Sequence, residues 1–327
     1  MGYSALMYSM SDFPINTQYF SLLTGKEVSW TPLIFGTTFS VFSSEKWIAK
    51  VNTSSTPRLQ AHLEISHRCT NFPFIPRLIA YDDHALTPYE ICILQKLPGE
   101  NWAKILLSQT REEIISLWEE MMSAARLFWQ NSQSPSQMTF ADHLQQTTTK
   151  RILWLKTQHS DWSDHLDLIE AFVKKHANLF ETSPCGFVHP DLHPGNILCM
   201  QGHLTGVVDL DEIYEGPQEG YLPTLLSFLE RPGMFIPSTV ADFSQTTFPF
   251  LYPSIKKAYA DIWDLPVLIR KLNLLFISQS LQWMTERLSS AESLEFLQVI
   301  LQRELPKNDN AYAQTYFARL LKQEEKI

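Results

Sequence analysis

The chain has 327 residues, 44% hydrophobic and 19% charged, a balance that describes a globular protein with a sizeable core and excludes a disordered one. A net charge of −9 excludes non-specific nucleic-acid binding, which needs a basic surface. Residues 1–97 balance their acids and bases, so the excess acid all follows Lys96; solvated helix faces account for such a bias, as does a cleft favouring a cationic ligand.

The opening MGYSALMYSM lacks the basic and apolar regions of a signal peptide, and Leu6 stands where a myristoylation signal has Ser or Thr. No apolar run is long enough for a membrane span. Cys69, Cys92, Cys185 and Cys199 form no C-x-x-C, so free, buried thiols in a reducing cytoplasm are expected. SDFPINTQYFSLLTG reads as a short helix with Asp12 as N-cap and Gly25 as its stop. From 27 to 97 the texture is β: TPLIFG, TFSVFSS and KWIAKVN precede a helical TPRLQAHLEISHRC, in which Leu59, Leu63 and Ile65 are apolar. RLIAYDD and YEICILQKL return to strand. This β-β-β-α-β-β order predicts an α+β fold whose first part, 1–97, is a small antiparallel sheet with one main helix.

Pro98-Gly99-Glu100 punctuates the chain. The following ENWAKILLSQTREEIISLWEEMMSAARLFW reads as two helices broken near Ser108–Thr110, and helical texture resumes up to about residue 180. After Pro217 the chain is again mostly helical, including DLPVLIRKLNLLFISQSLQWMTERL. Residues 98–327 are therefore expected to form a larger, mostly helical lobe.

Between the strand-like CGFV and ILCM lies HPDLHPGN, residues 189–196. His189 and His193 are four apart, as in helical zinc pairs, but Pro190, Pro194 and Gly195 oppose a helix, and no further Cys or His stands at ligand spacing. A plain turn explains the Pro and Gly. It does not explain Asn196 or Asp209, the latter delivered at the end of LTGVVDL. Asp, Asn and Asp on the two sides of a hairpin can converge. An amide and a carboxylate oxygen suit Mg²⁺, and Asp191 upstream can take a proton from an attacking hydroxyl, the division of labour of kinase phosphoryl transfer.

FVHPDLHPGNIL followed by GVVDLDE resembles the aminoglycoside phosphotransferase/choline kinase-like family, a branch of the protein-kinase-like fold, whose loop reads H-x-D-L-H-x-x-N. The resemblance implies a bilobal small-molecule kinase using ATP, with GTP left open, and Mg²⁺. Asp191 is then the base, Asn196 and Asp209 hold the metal, and His189 braces the loop. Lys50 of KWIAKVN would neutralise phosphate charge, and Glu64, the only acid in its helix, would hold Lys50. Gly36, Thr37 and Thr38 would cover the phosphates, and the backbone from Gln95 to Leu97 would meet the adenine edge.

One departure stands out. The family continues toward G-D-P-x-x-D-L-A, whose second Asp supports the catalytic loop, whereas this chain reads EGPQEGYLPTLL, so that either Glu219 substitutes or the loop is supported differently. Asp211, Glu212, Glu215 and Glu219 beyond Asp209 suggest an acidic wall for an amine-bearing acceptor such as an aminoglycoside, choline or an amino sugar, with Tyr214, Tyr221 and Trp283 as stacking candidates. Homoserine, methylthioribose and fructosamine kinases share these motifs. The rival from another class is a nucleotide-binding pseudokinase or scaffold.

Overall fold

The computed structural model describes residues 15–33, 39–54, 57–133, 138–286, 290–301 and 315–322. The chain divides into two compact units: Met1–Ala124 with His193–Tyr214 and Gly233–Gln245, and Ala125–Leu192 with Glu215–Pro232 and Thr246–Ile327. Among the described residues no helix is long and apolar enough to cross a membrane.

The first unit opens with helix α1 (Gln18–Thr24), closed by Gly25 in a left-handed conformation (φ 65°). The helix begins later than its sequence suggests, because the Asn16 side chain accepts the Gln18 N–H at 3.0 Å; Asp12 lies outside the described residues. Strands β1 (Thr31–Leu33), β2 (Ser40–Ser43), β3 (Trp47–Asn52), β4 (Leu78–Asp83) and β5 (Glu90–Gln95) form an antiparallel sheet in the order β1-β2-β3-β5-β4. Alternation along β3 and β5 sorts its faces. Ala49, Val51, Ile91 and Ile93 pack with Phe20 of α1, while Cys92 and Leu94 pack with Leu59 on the other face. Lys50 is paired directly with Cys92, so its side chain leaves the sheet on the Leu59 side.

Helix α2 (Gln60–Arg68) follows Leu59, and its buried stripe is Leu59, His62, Ile65 and Cys69. Its start is held by Glu90, a fully buried carboxylate of β5. Glu90 accepts the N–H groups of Arg58 (2.7 Å) and Leu59 (2.8 Å), the Asn52 amide (2.7 Å) and the Tyr81 hydroxyl (2.8 Å). One side chain thus ties three strands to the helix. Burial, and then the bond to Glu90, push the Tyr81 phenol up.

Strand β6 (Glu100–Asn101) pairs with β8 (Ile197–Met200), which forms a hairpin with β9 (His203–Val207). Residues 102–108 are not the helix their spacing suggests but two 3₁₀ turns. Asn101 caps the first through Ala103 N–H at 3.0 Å, and buried Trp102 anchors it. The long helix α3 (Arg111–Asn131) then starts on a capping box between Thr110 and Glu113. At Gly99 (φ 104°) an added Cβ would stand 2.6 Å from the Cys199 carbonyl, so this turn needs glycine.

The second unit contains α4 (Phe140–Gln158), α5 (Ser163–His176), β7 (Gly186–Val188), α6 (Leu222–Glu230), α7 (Tyr252–Ala258), α8 (Leu265–Glu286), α9 (Ser290–Val299) and α10 (Tyr316–Lys322). Helix α8, predicted from its apolar run, packs on α4 and is buried through Leu268, Leu272, Leu275 and Leu281. The four cysteines are free; Cys69, Cys92 and Cys199 are buried and Cys185 is partly so.

Candidate active site

Within the first unit the Lys50 ammonium donates to Asp209 Oδ1 at 2.8 Å and to Asp211 Oδ2. The other oxygen of Asp211 takes the ring Nε2–H of His62 at 2.7 Å. Exposure separates the two carboxylates: the Asp211 side chain is 6% exposed and that of Asp209 56%, against 11% for Lys50 and 2% for His62. Burial pushes the Asp211 carboxyl up, but the His62 hydrogen bond and the Lys50 charge outweigh it and hold the group well below the usual range. Burial likewise presses the Lys50 pKa down, and Asp211 and Asp209 together keep it above its ordinary value. Glu64, expected as the partner of Lys50, is exposed on α2. The buried stripe of the helix runs through His62 instead, about half a turn away.

The β8–β9 hairpin sets the geometry of Asn196 and Asp209. Its tip, Gln201-Gly202, has both residues left-handed (φ 55° and 81°), and Ile197 pairs with Val207. The ladder continues with the Val208 N–H on the Asn196 carbonyl at 2.9 Å, which sets Asn196 and Asp209 at the open end. Asp209 itself is left-handed (φ 63°, ψ 50°), a conformation sparsely used by non-glycine residues and concentrated at functional sites. Asn196 lies in the turn Pro194–Asn196, where the His193 ring accepts the Gly195 N–H at 3.0 Å and Asn101 donates to the Gly195 carbonyl. The amide of Asn196 and the exposed carboxylate of Asp209 form a hard-oxygen donor set that fits Mg²⁺.

The unit boundary falls inside HPDLHPGN, after Leu192. In the second unit, buried His189 follows β7, and its Nδ1 accepts the Asp191 N–H at 3.3 Å. The Thr224 hydroxyl donates to the Pro190 carbonyl, and Tyr221 donates to the Phe187 carbonyl at 2.9 Å. Two residues from the start of α6 therefore brace the segment carrying Asp191. Glu219 does not serve as that support: it is buried against Lys271 Nζ at 2.7 Å, with Lys271 also on Ser183 Oγ at 3.1 Å.

A model of the phosphotransferase enzyme family (APH) matches residues 32–218, more than half of the chain. The chain belongs to this family. No curated protein sequence matches it. Among solved structures, ADP-bound aminoglycoside phosphotransferase APH(2″)-Ib is 16% identical with a TM-score of 0.62, over 90% of this chain and 98% of that one. The gentamicin complex of APH(2″)-IIa is 16% identical (TM-score 0.63, 92% and 99% covered). A thermostable mutant of APH(4)-Ia in a ternary complex with AMP-PNP and hygromycin B is 14% identical (TM-score 0.60, 87% and 97% covered). These similarities give this phosphotransferase the protein-kinase-like fold, with a small antiparallel sheet and a mostly helical remainder. The family match makes the chain a phosphotransferase.

Other expected site residues of the phosphotransferase fall out differently. Gly36, Thr37 and Thr38 lie outside the described residues. At Gln95–Leu97 the N–H groups of Gln95 and Lys96 are spent on Arg77 and Lys46 carbonyls at 2.8 and 2.9 Å. The acidic wall loses Asp211, turned in to Lys50 and His62, and Glu219, turned in to Lys271; Glu212 and Glu215 stay partly exposed. Tyr221 is buried beneath the loop and does not offer a stacking face. His62, Glu90 and Thr224 were not expected from the sequence. The spacing of Leu59, His62, Ile65 and Cys69 was the available signal for the first, whereas nothing local marks Glu90 as a helix cap.

Proposed function

We propose that the chain transfers the γ-phosphoryl group of ATP, with Mg²⁺, to a hydroxyl of an amine-bearing small molecule. The observation that carries this reading is the open end of the β8–β9 hairpin, where Asp209 pairs with the buried cation Lys50 and the Asn196 carbonyl takes the Val208 N–H across the hairpin. Asn196 and Asp209 hold the metal, which when bound neutralises phosphate charge, and Lys50 adds a fixed positive charge for the phosphates. Asp191, on the loop braced by His189 and Thr224, takes the proton of the acceptor hydroxyl. Contact of Gln95–Leu97 with adenine falls to backbone groups other than the N–H of Gln95 and Lys96. GTP is a second nucleotide to assay.

An amine on the acceptor is supported by the excess of acid after Lys96, with Glu212 and Glu215 partly exposed, and by relatives bound to gentamicin and hygromycin B. One observation favours a nucleotide-binding scaffold instead: α2 offers no carboxylate to Lys50, and its His62 imidazole bonds Asp211. The test is phosphate transfer from Mg·ATP to a panel of aminoglycosides, choline, amino sugars, homoserine, methylthioribose and fructosamines, with Asp191→Ala alongside. The expected result is transfer to an amine-bearing member, reduced at least a thousandfold by Asp191→Ala, on the order of the loss when a base acting as part of a unit is removed. Nucleotide binding without transfer to any member would favour the scaffold.

A further inference from the structure

A nucleotide-binding lysine next to a metal-binding carboxylate has a competition to resolve. The carboxylate that turns to Mg²⁺ can no longer hold the lysine, so a second anion must. In this chain the two roles divide by burial. Asp209 is exposed, while Asp211, on the same turn, is almost fully enclosed with one oxygen on Lys50 and the other on the His62 ring. No acid on α2 takes part: Glu64, the only acid of the helix, faces solvent.

We propose that Asp211, tethered to α2 through His62, is the positioning residue that holds Lys50 for phosphate transfer, in place of a carboxylate carried by the helix. This rests on the phosphotransferase reading of the site. Asp211 reaches the nucleotide only through Lys50. His62 supplies the donor that fixes the second oxygen and stops the carboxylate from rotating.

The experiment compares the 327-residue chain with Asp211→Asn, His62→Leu, His62→Gln and the double variant Asp211→Asn/His62→Glu. It reads KM for ATP and kcat in Mg·ATP turnover, with the fastest acceptor of the panel or with water, and the Kd of the fluorescent analogue TNP-ATP. Asp211→Asn is expected to raise KM and Kd at least tenfold and to lower kcat/KM about a hundredfold, with unchanged far-UV circular dichroism. A folding defect alone would lower apparent kcat by reducing active enzyme and leave KM in place. His62→Leu is expected to lose about tenfold, and His62→Gln, which keeps a donor, to retain most of what His62→Leu loses. The double variant, which returns a carboxylate to α2, is expected to recover at least tenfold over Asp211→Asn. If Asp211→Asn does not fold, Asp211→Glu is read instead, with a tenfold loss expected in kcat/KM for ATP. Wild-type KM and kcat in the folded Asp211 variant, while Asp191→Ala is inactive, overturn the proposal. Wild-type activity in Asp191→Ala as well overturns the underlying reading of the site.

Discussion

Glu90 is the sharpest stability test, because its two oxygens take four donors and every bond is short. Oε2 serves the Asn52 amide and the Arg58 N–H, and Oε1 serves the Leu59 N–H and the Tyr81 hydroxyl. Glu90→Gln keeps the shape but turns one oxygen into an NH₂ group, so two donors meet a donor. A hydrogen bond to a charged group contributes roughly 1.5–3 kcal/mol, and two lost at a buried position cost about 4 kcal/mol. That is a large share of the 5–15 kcal/mol, roughly, by which domains are stable. Urea unfolding followed by tryptophan fluorescence reads it directly, with Trp30 and Trp47 packed against the sheet as reporters. Tyr81→Phe removes only one of the four bonds and is expected to cost about 1.5 kcal/mol. If Glu90→Gln costs less than about 1 kcal/mol, the four bonds do not act together and the start of α2 is held by something else.

Three further outcomes follow from particular contacts. Gly99→Ala meets both a positive φ and the Cys199 carbonyl, and is expected to destabilise by about 3 kcal/mol in the same urea assay. Lys271→Met strands the buried Glu219 without its cation and should cost roughly 3–5 kcal/mol, whereas replacing both partners by apolar residues should recover much of the loss. Burial, followed by Glu215 and Glu219, pushes the Cys185 thiol up to about 11. Since only the thiolate is alkylated, iodoacetamide at pH 8 should modify Cys185 on the order of a hundredfold more slowly than a free cysteine, with the rate climbing until the pH passes 11. A rate at pH 8 matching that of a free cysteine would contradict the burial of that thiol.

Much of the fold was legible because β-branched runs and alternation report directly on sheet faces. Lys50 stands between Ala49 and Val51, and period two alone sends it to the opposite side from them. The placement of Asn196 and Asp209 at the open end of one hairpin was legible for the same reason, as two strand ends joined by a tight turn. Glu64 misled because it was chosen by charge when the deciding quantity was helical phase. Residues 102–108 misled because local spacing cannot show that Asn101 is drawn to the Gly195 carbonyl, which fixes where the turns begin. The burial of Glu219 depends on Lys271, far along the chain, and no neighbouring residue announces such a partner.

The hairpin has a consequence for how such sites are found. The distance between Asn196 and Asp209 is set by strand pairing at the open end, and the stretch between them merely goes out to Gln201-Gly202 and back. Lengthening the tip leaves Asn196 and Asp209 where they are. Adding a residue within either strand with no bulge to absorb it shifts the pairing and turns the two apart, whereas the hairpin already absorbs one irregularity at Leu198–Cys199. Spacing along the chain is therefore an accident of tip length, and related sites with longer or shorter excursions are better sought by the two strand ends than by a fixed count.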